Sequence, residues 1–96
     1  MTKRKLVLSR SFEKAFLKML NKKPHLASSI KQSIIKLEED AFFSSIKTHK
    51  LSGNLLGYYA CSCGYDCRIV FSIEKDKTTL EEVILLIDIG THDEVY

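Results

Sequence analysis

The hydrophobic pattern of this chain changes period once, near Ala41, and that change divides whatever it folds into. Before it, Phe12, Phe16, Leu17, Met19 and Leu20 recur at helical spacing, with Lys14, Lys18 and Lys22 opposite. Leu26, Ile30, Ile34 and Leu37 then form a second apolar stripe that lasts to about Asp40. Ser9 or Ser11 can cap the first helix, Asn21 can stop it, and Pro24 suits the first turn of the next. Two amphipathic helices joined by Asn21-Lys22-Lys23 each have one face to bury, so they predict a helical hairpin lying on a sheet. Leu6-Val7-Leu8 reads as a short strand ahead of the hairpin.

After Ala41 the texture is that of strands and turns. Phe42-Phe43-Ser44-Ser45-Ile46 reads as a connection with buried anchors, and Ser52-Gly53-Asn54 is turn chemistry. Residues 55–62 and 67–73 are two expected strands, reversed at Cys63-Gly64-Tyr65-Asp66. Residues 79–89 are a third, and Val83-Ile84-Leu85-Leu86-Ile87 is apolar on both faces, which places it inside the sheet. The expected fold is α+β in the order β-α-α-β-β-β, an N-terminal helical hairpin on a small antiparallel sheet. At 96 residues the chain is expected to be one domain over 1–96.

The charge runs downhill along the chain. Residues 1–23 hold eight Lys/Arg against Glu13, a net of +7, while residues 51–96 hold three against eight acids, a net of −5. Such a basic first quarter either attracts phosphates or an acidic partner, or is simply a solvated lysine-rich face. No apolar run nears the ~20 residues of a membrane helix, and Met1-Thr2-Lys3-Arg4-Lys5 leads into too few apolar residues for a secretion signal. A soluble cytoplasmic protein is expected. Cys61, Cys63 and Cys67 are an odd set without C-x-x-C spacing. They argue against both a zinc site and a disulfide framework, and read as buried apolar side chains.

Arg68 interrupts an apolar strand, so its guanidinium must reach a cleft or pair with Asp66 or Glu82. His92 follows Gly90 at the end of the most apolar strand, a place where a side chain is held firmly yet meets solvent. His49 precedes the turn before the next strand, and Tyr96 offers a phenol and a π-face. Two histidines, an arginine and a tyrosine are the side chains that metal-free RNA cleavage uses: a base, an acid and a fixed cation for the phosphorane. There is no Gly-rich phosphate loop and no acidic metal cluster, so no cofactor is expected.

The stretches His49-Lys50-Leu51-Ser52-Gly53, Gly57-Tyr58, Tyr65-Asp66-Cys67-Arg68-Ile69-Val70-Phe71 and Ile89-Gly90-Thr91-His92-Asp93-Glu94-Val95-Tyr96 together resemble the RelE/ParE superfamily of bacterial type II toxins. The resemblance covers nearly the whole chain and is nearest the RelE side, in its YafQ-like branch. It implies two helices on a small antiparallel sheet. It also implies a ribosome-dependent endoribonuclease that cuts messenger RNA in the A site. By position, His92 matches the family's C-terminal catalytic histidine, and His49 a base or phosphate ligand. Asp66 matches an acidic residue that orients a histidine, Arg68 the phosphate-stabilising arginine, and Tyr96 the terminal aromatic. Lys50 adds phosphate contact, and Lys3, Arg4, Lys5, Lys14, Lys18 and Lys22 would meet ribosomal RNA. An acidic, partly disordered antitoxin is the implied protein partner. Ser62 stands where some members carry a further histidine, and Cys67 where a tryptophan sometimes occurs. A gyrase-inhibiting toxin of the ParE type and a catalytically weakened binding module are the alternatives on the same fold.

Overall fold

A computed structural model of the protein describes residues 4–95. The chain enters through strand β1 (Lys5–Leu8) and turns at Ser9 into helix α1 (Arg10–Lys22). Ser9 caps that helix: its hydroxyl accepts the Phe12 N–H at 3.1 Å, relieving one of the unpaired donors of the first turn. A 3₁₀ turn at Pro24–Leu26 leads into helix α2 (Ala27–Glu39). The remaining elements are β2 (His49–Lys50), β3 (Tyr59–Ser62), β4 (Arg68–Lys75), β5 (Glu82–Gly90) and a one-turn helix α3 (His92–Val95).

The sheet has five strands in the order β1-β5-β4-β3-β2. As expected, the strands after the hairpin form an antiparallel meander and the apolar β5 lies inside the sheet. β1, however, pairs parallel with β5, so the sheet is mixed. The α1–α2 hairpin and the strands after it separate β1 from β5 in the chain, and β1 runs alongside β5 in the same direction. The strand at 55–62 is shorter than its composition suggested: Gly53–Leu55 is a 3₁₀ turn, and pairing starts at Tyr59. Two further differences follow from geometry. Leu17 is 62% exposed, because it lies far round the helix from the stripe of Phe12 and Met19. Of the 42–46 connection only Ile46 is fully buried, while Phe42 is 52% exposed and sets its ring edge-on to Tyr59.

One core fills the space between hairpin and sheet. Phe12, Met19, Leu26, Ile30 and Leu37 pack against Cys61, Ile69, Phe71, Ile84 and Leu86. Phe71 is wholly buried and stacks on Tyr59 at 5.6 Å between centroids. Truncating such a ring to alanine costs about 3–5 kcal/mol. Because Cys61, Ile69 and Phe71 face the helices, strand alternation turns Ser62, Arg68 and Val70 to the opposite face. The register slips once: Val70 pairs with Asp88 but Phe71 with Leu86, leaving Ile87 as an extra residue. The Ile87 carbonyl accepts the Ser11 hydroxyl at 2.7 Å, so the start of α1 satisfies what the bulge leaves unpaired.

All three cysteines are fully buried, as expected, but two of them are not free thiols. Cys63 and Cys67 form a disulfide, and Cys61 alone is a free thiol, pushed up to about 12 by burial. The cross-link closes the β3–β4 turn, where Cys63 N–H donates to the Cys67 carbonyl at 3.0 Å. This is one local staple rather than a disulfide framework, and spacing alone does not reveal that the two sulfurs meet across a tight reversal.

Candidate active site

The site forms where β3, β4 and β5 end together. Ser62 faces Arg68, and Arg68 faces Gly90, in one row across the three strands. Two residues beyond Gly90, α3 begins at His92. The β3–β4 turn then folds toward it. Gly64 at φ +130° and Asp66 at φ +50° reverse the chain in conformations that glycine and aspartate tolerate. From there the Asp66 carboxylate accepts the main-chain N–H of His92 at 3.2 Å. Residues 26 apart in sequence are thus tied directly.

Arg68 is half-buried and donates through Nη1 to the Cys67 carbonyl at 2.9 Å. The two pairings open to it at the sequence level are not used in this way: Glu82 takes Arg4 at 2.9 Å, and the Asp66 carboxylate reaches His92. Arg68 and Asp66 line a groove of about 460 Å³ together with Lys47, Ser62, Gly64 and Tyr65. Two cations with a fixed carboxylate and a hydroxyl make an opening suited to a phosphodiester. His49 is exposed on the edge strand β2, opposite Ala60 and so two residues along the sheet from the Ser62–Arg68 row; its Nδ1 lies 3.1 Å from the Lys47 carbonyl. Lys50 is exposed beside it. A second groove, of about 560 Å³, runs between Leu51, Ser52, Asn54 and Leu55 on one side and Glu94 and Val95 on the other.

His92 is exposed, with its Nδ1 3.6 Å from an Asp93 carboxylate oxygen. The short helix that carries it is capped by Thr91 and Glu94. Glu94 Oε1 accepts the Thr91 N–H at 2.9 Å, and the Glu94 N–H lies 3.3 Å from the Thr91 hydroxyl. These bonds, with Lys22 at 3.2 Å, hold the Glu94 carboxyl below its ordinary range. The Thr91-x-x-Glu94 spacing is a capping-box signature, so the helix was legible in the sequence although it was not singled out there. Lys47, which lines the Arg68 groove at φ +53°, left no such signal.

The basic residues of the first quarter do not form one uniform surface. Lys5, Lys14 and Lys18 are exposed, Arg4 is paired with Glu82, and Lys22 with Glu94. Lys3 and Tyr96 lie outside the described residues. Among the described residues no three His, Cys, Asp or Glu side chains converge as a metal site, and no helix is long and apolar enough to cross a membrane.

Comparison with known proteins places the fold and the family. The chain matches the YafQ family of bacterial type II toxin–antitoxin toxins over residues 4–96. No curated protein sequence matches it. Among solved structures, YafQ in the Escherichia coli DinJ–YafQ toxin–antitoxin complex superposes with a TM-score of 0.74 at 18% identity, covering 99% of each chain. A copper-bound mutant toxin from Helicobacter pylori gives 0.73 at 24% identity, covering 97% of this chain and 99% of that one. The YoeB/ParE toxin from Agrobacterium tumefaciens gives 0.72 at 19%, covering 92% and 98%. Those identities establish a shared fold, and the match along residues 4–96 establishes the family: this chain belongs to the YafQ toxins of bacterial type II toxin–antitoxin systems.

Proposed function

We propose that this toxin is a ribosome-dependent endoribonuclease that cleaves messenger RNA in the A site, in the cytoplasm, without a metal ion. One observation carries the reading beyond family membership. The Asp66 carboxylate holds the His92 main chain at 3.2 Å, beside the strand row in which Arg68 faces Gly90. The His92 main chain, the Asp66 carboxylate and the Arg68 row thus lie at one end of the sheet, which supports assigning them to one site.

In the reaction a base removes the proton of a ribose 2′-hydroxyl, and the oxygen attacks the adjacent phosphorus. The bond to the 5′-oxygen breaks as an acid protonates it, leaving a 2′,3′-cyclic phosphate and a 5′-hydroxyl. His92 is assigned the acid role and His49 that of base or phosphate ligand, since imidazole suits either. Arg68 matches the phosphorane oxygens in a bidentate fork. Asp66 holds the start of α3, Tyr96 stacks on the substrate, and Lys50 adds phosphate contact. Lys3, Lys5, Lys14 and Lys18 engage ribosomal RNA, with Arg4 and Lys22 contributing charge, and this binding weakens steeply with salt. The cognate antitoxin is an acidic segment, partly disordered alone, that complements the basic first quarter.

Primer extension on translated messages, with and without ribosomes, tests the proposal. Ribosome-dependent cuts are expected from the native toxin, with His92→Ala and Arg68→Ala each reducing them about 10²–10⁴-fold while the protein stays folded. Full cleavage by both variants would overturn the assignment of these residues. DNA breaks with intact messages would identify gyrase inhibition instead, and neither lesion would leave a binding module.

A further inference from the structure

A one-turn helix does not hold its own direction in water, because nucleation is unfavourable and only a few bonds repay it. The orientation of His92 must therefore come from what α3 touches. Asp66 fixes its first N–H. Val95 is buried against the body of the fold, and a further set of bonds converges on Glu94. Its Oε1 accepts the Thr91 N–H at 2.9 Å, and its Oε2 receives Lys22 Nζ at 3.2 Å. One carboxylate therefore closes α3 on its own start and ties it to the end of α1, a helix anchored in the core by Phe12 and Met19.

Gly90 makes this approach possible. A Cβ there would sit 3.0 Å from Glu94 Oε1, 3.1 Å from Glu94 Cβ and 3.2 Å from Val95 Cγ1. Its φ is not of the kind that requires glycine, so the demand is for space. Asp88 lines the same groove as Lys22 and Glu94, and burial, with repulsion from Glu94, holds its carboxyl above its ordinary range. Two carboxylates share this groove with Lys22, whose ammonium offsets their repulsion.

We propose that Glu94, held by Lys22 and admitted by Gly90, is the positioning residue that sets where α3 presents the His92 imidazole beside the Asp66–Arg68 groove. The proposal rests on the ribonuclease reading for its consequence, but its geometry is tested separately. Two measurements are made on the full-length toxin: hydrogen exchange of the His92 amide by NMR, and cleavage kinetics on translating ribosomes. Glu94→Ala speeds exchange of the His92 amide about 5- to 10-fold and lowers kcat by a similar factor, the usual consequence of losing a cap, with KM unchanged. Glu94→Gln, which still accepts from Thr91, recovers most of both. Lys22→Met, a surface change that leaves the cap intact, produces about a two- to threefold effect of the same kind. Gly90→Ala speeds the exchange as Glu94→Ala does. Unchanged His92 exchange in Glu94→Ala overturns the proposal. So does a loss that appears only in KM, or equal losses in Glu94→Ala and Glu94→Gln. If native toxin cuts no RNA, the ribonuclease reading fails, while the exchange data still decide whether Glu94 orders α3.

Discussion

Strand β4 is entered and left through turns that each contain an aspartate bonded to main-chain N–H groups, and the two carboxylates are put to different uses. In the turn after β4, Asp76 Oδ1 accepts the N–H groups of Thr78 at 2.7 Å and Thr79 at 3.0 Å. Its bonding is spent within its own loop, which is how aspartate usually serves a turn. In the turn before β4, the Asp66 carboxylate leaves its loop and takes the N–H of His92. That second turn is also cross-linked by Cys63 and Cys67 and closed by a hydrogen bond between the same two residues. The same residue type therefore shapes a hairpin at one end of the strand and assembles a candidate site at the other. What separates them is the partner: a donor two or three residues away closes a loop, whereas a donor on another element fixes that element.

The contrast is broken most directly at the two aspartates. Asp66→Gly keeps a residue suited to φ +50° but removes the carboxylate, and is expected to lower RNA cleavage about 10–100-fold, the cost of a hydrogen bond to a charged acceptor. Asp66→Asn retains an acceptor and should keep most activity, if orientation is the residue's work. Asp76→Ala should leave cleavage at the native rate and lower only Tm. Equal cleavage losses at the two sites, measured by primer extension, would erase the distinction.

The cross-link comes next in size. The bridge spans a sequence separation of only 4, so replacing both cysteines by alanine should cost about 2 kcal/mol in urea unfolding, as a short closed loop implies. A midpoint equal to that of the native protein would show that the turn does not depend on its sulfurs. At the other turn, exposed Leu80 sits at φ +62°, where a glycine is relaxed. Leu80→Gly is expected to gain about 0.5–1 kcal/mol, read as a raised Tm; a fall in Tm would mean the leucine packs usefully.

The smallest effect is one of pH. The bonds from Thr79 and Thr78 hold the Asp76 carboxyl below its ordinary value of 3.8. A carboxyl with a lower pKa in the folded state adds stability above its unfolded pKa and loses it as pH falls through the folded one. Thermal melts of Asp76→Asn should therefore approach those of the native protein as pH drops below about 3.8 and lie under them at neutral pH. A gap that stays constant through that range would refute the sign.

Much of the fold was legible because it depends on repeating chemistry. The stripe of Phe12, Met19, Ile30 and Leu37 could bury itself only as a hairpin on a sheet, and the apolar run 83–87 could only be an interior strand. Arg68 and His92 stood out as polar residues beside apolar strands, and both reach the same end of the sheet. Other features were hidden because they depend on distance in space. The parallel pairing of β1 with β5, the Cys63–Cys67 bond, and the two uses of Asp66 and Asp76 have no period to betray them. The amino-acid order by itself determined which faces are apolar and which residues are candidates for the chemistry, since those are properties of side chains and spacing. Only the tertiary structure decided who meets whom: that Glu82 takes Arg4, that Asp66 takes His92, and that Glu94 joins α3 to Lys22. A charged or hydrogen-bonding group accepts many partners equally well in chemical terms, and the packing of the core selects one by bringing it within reach.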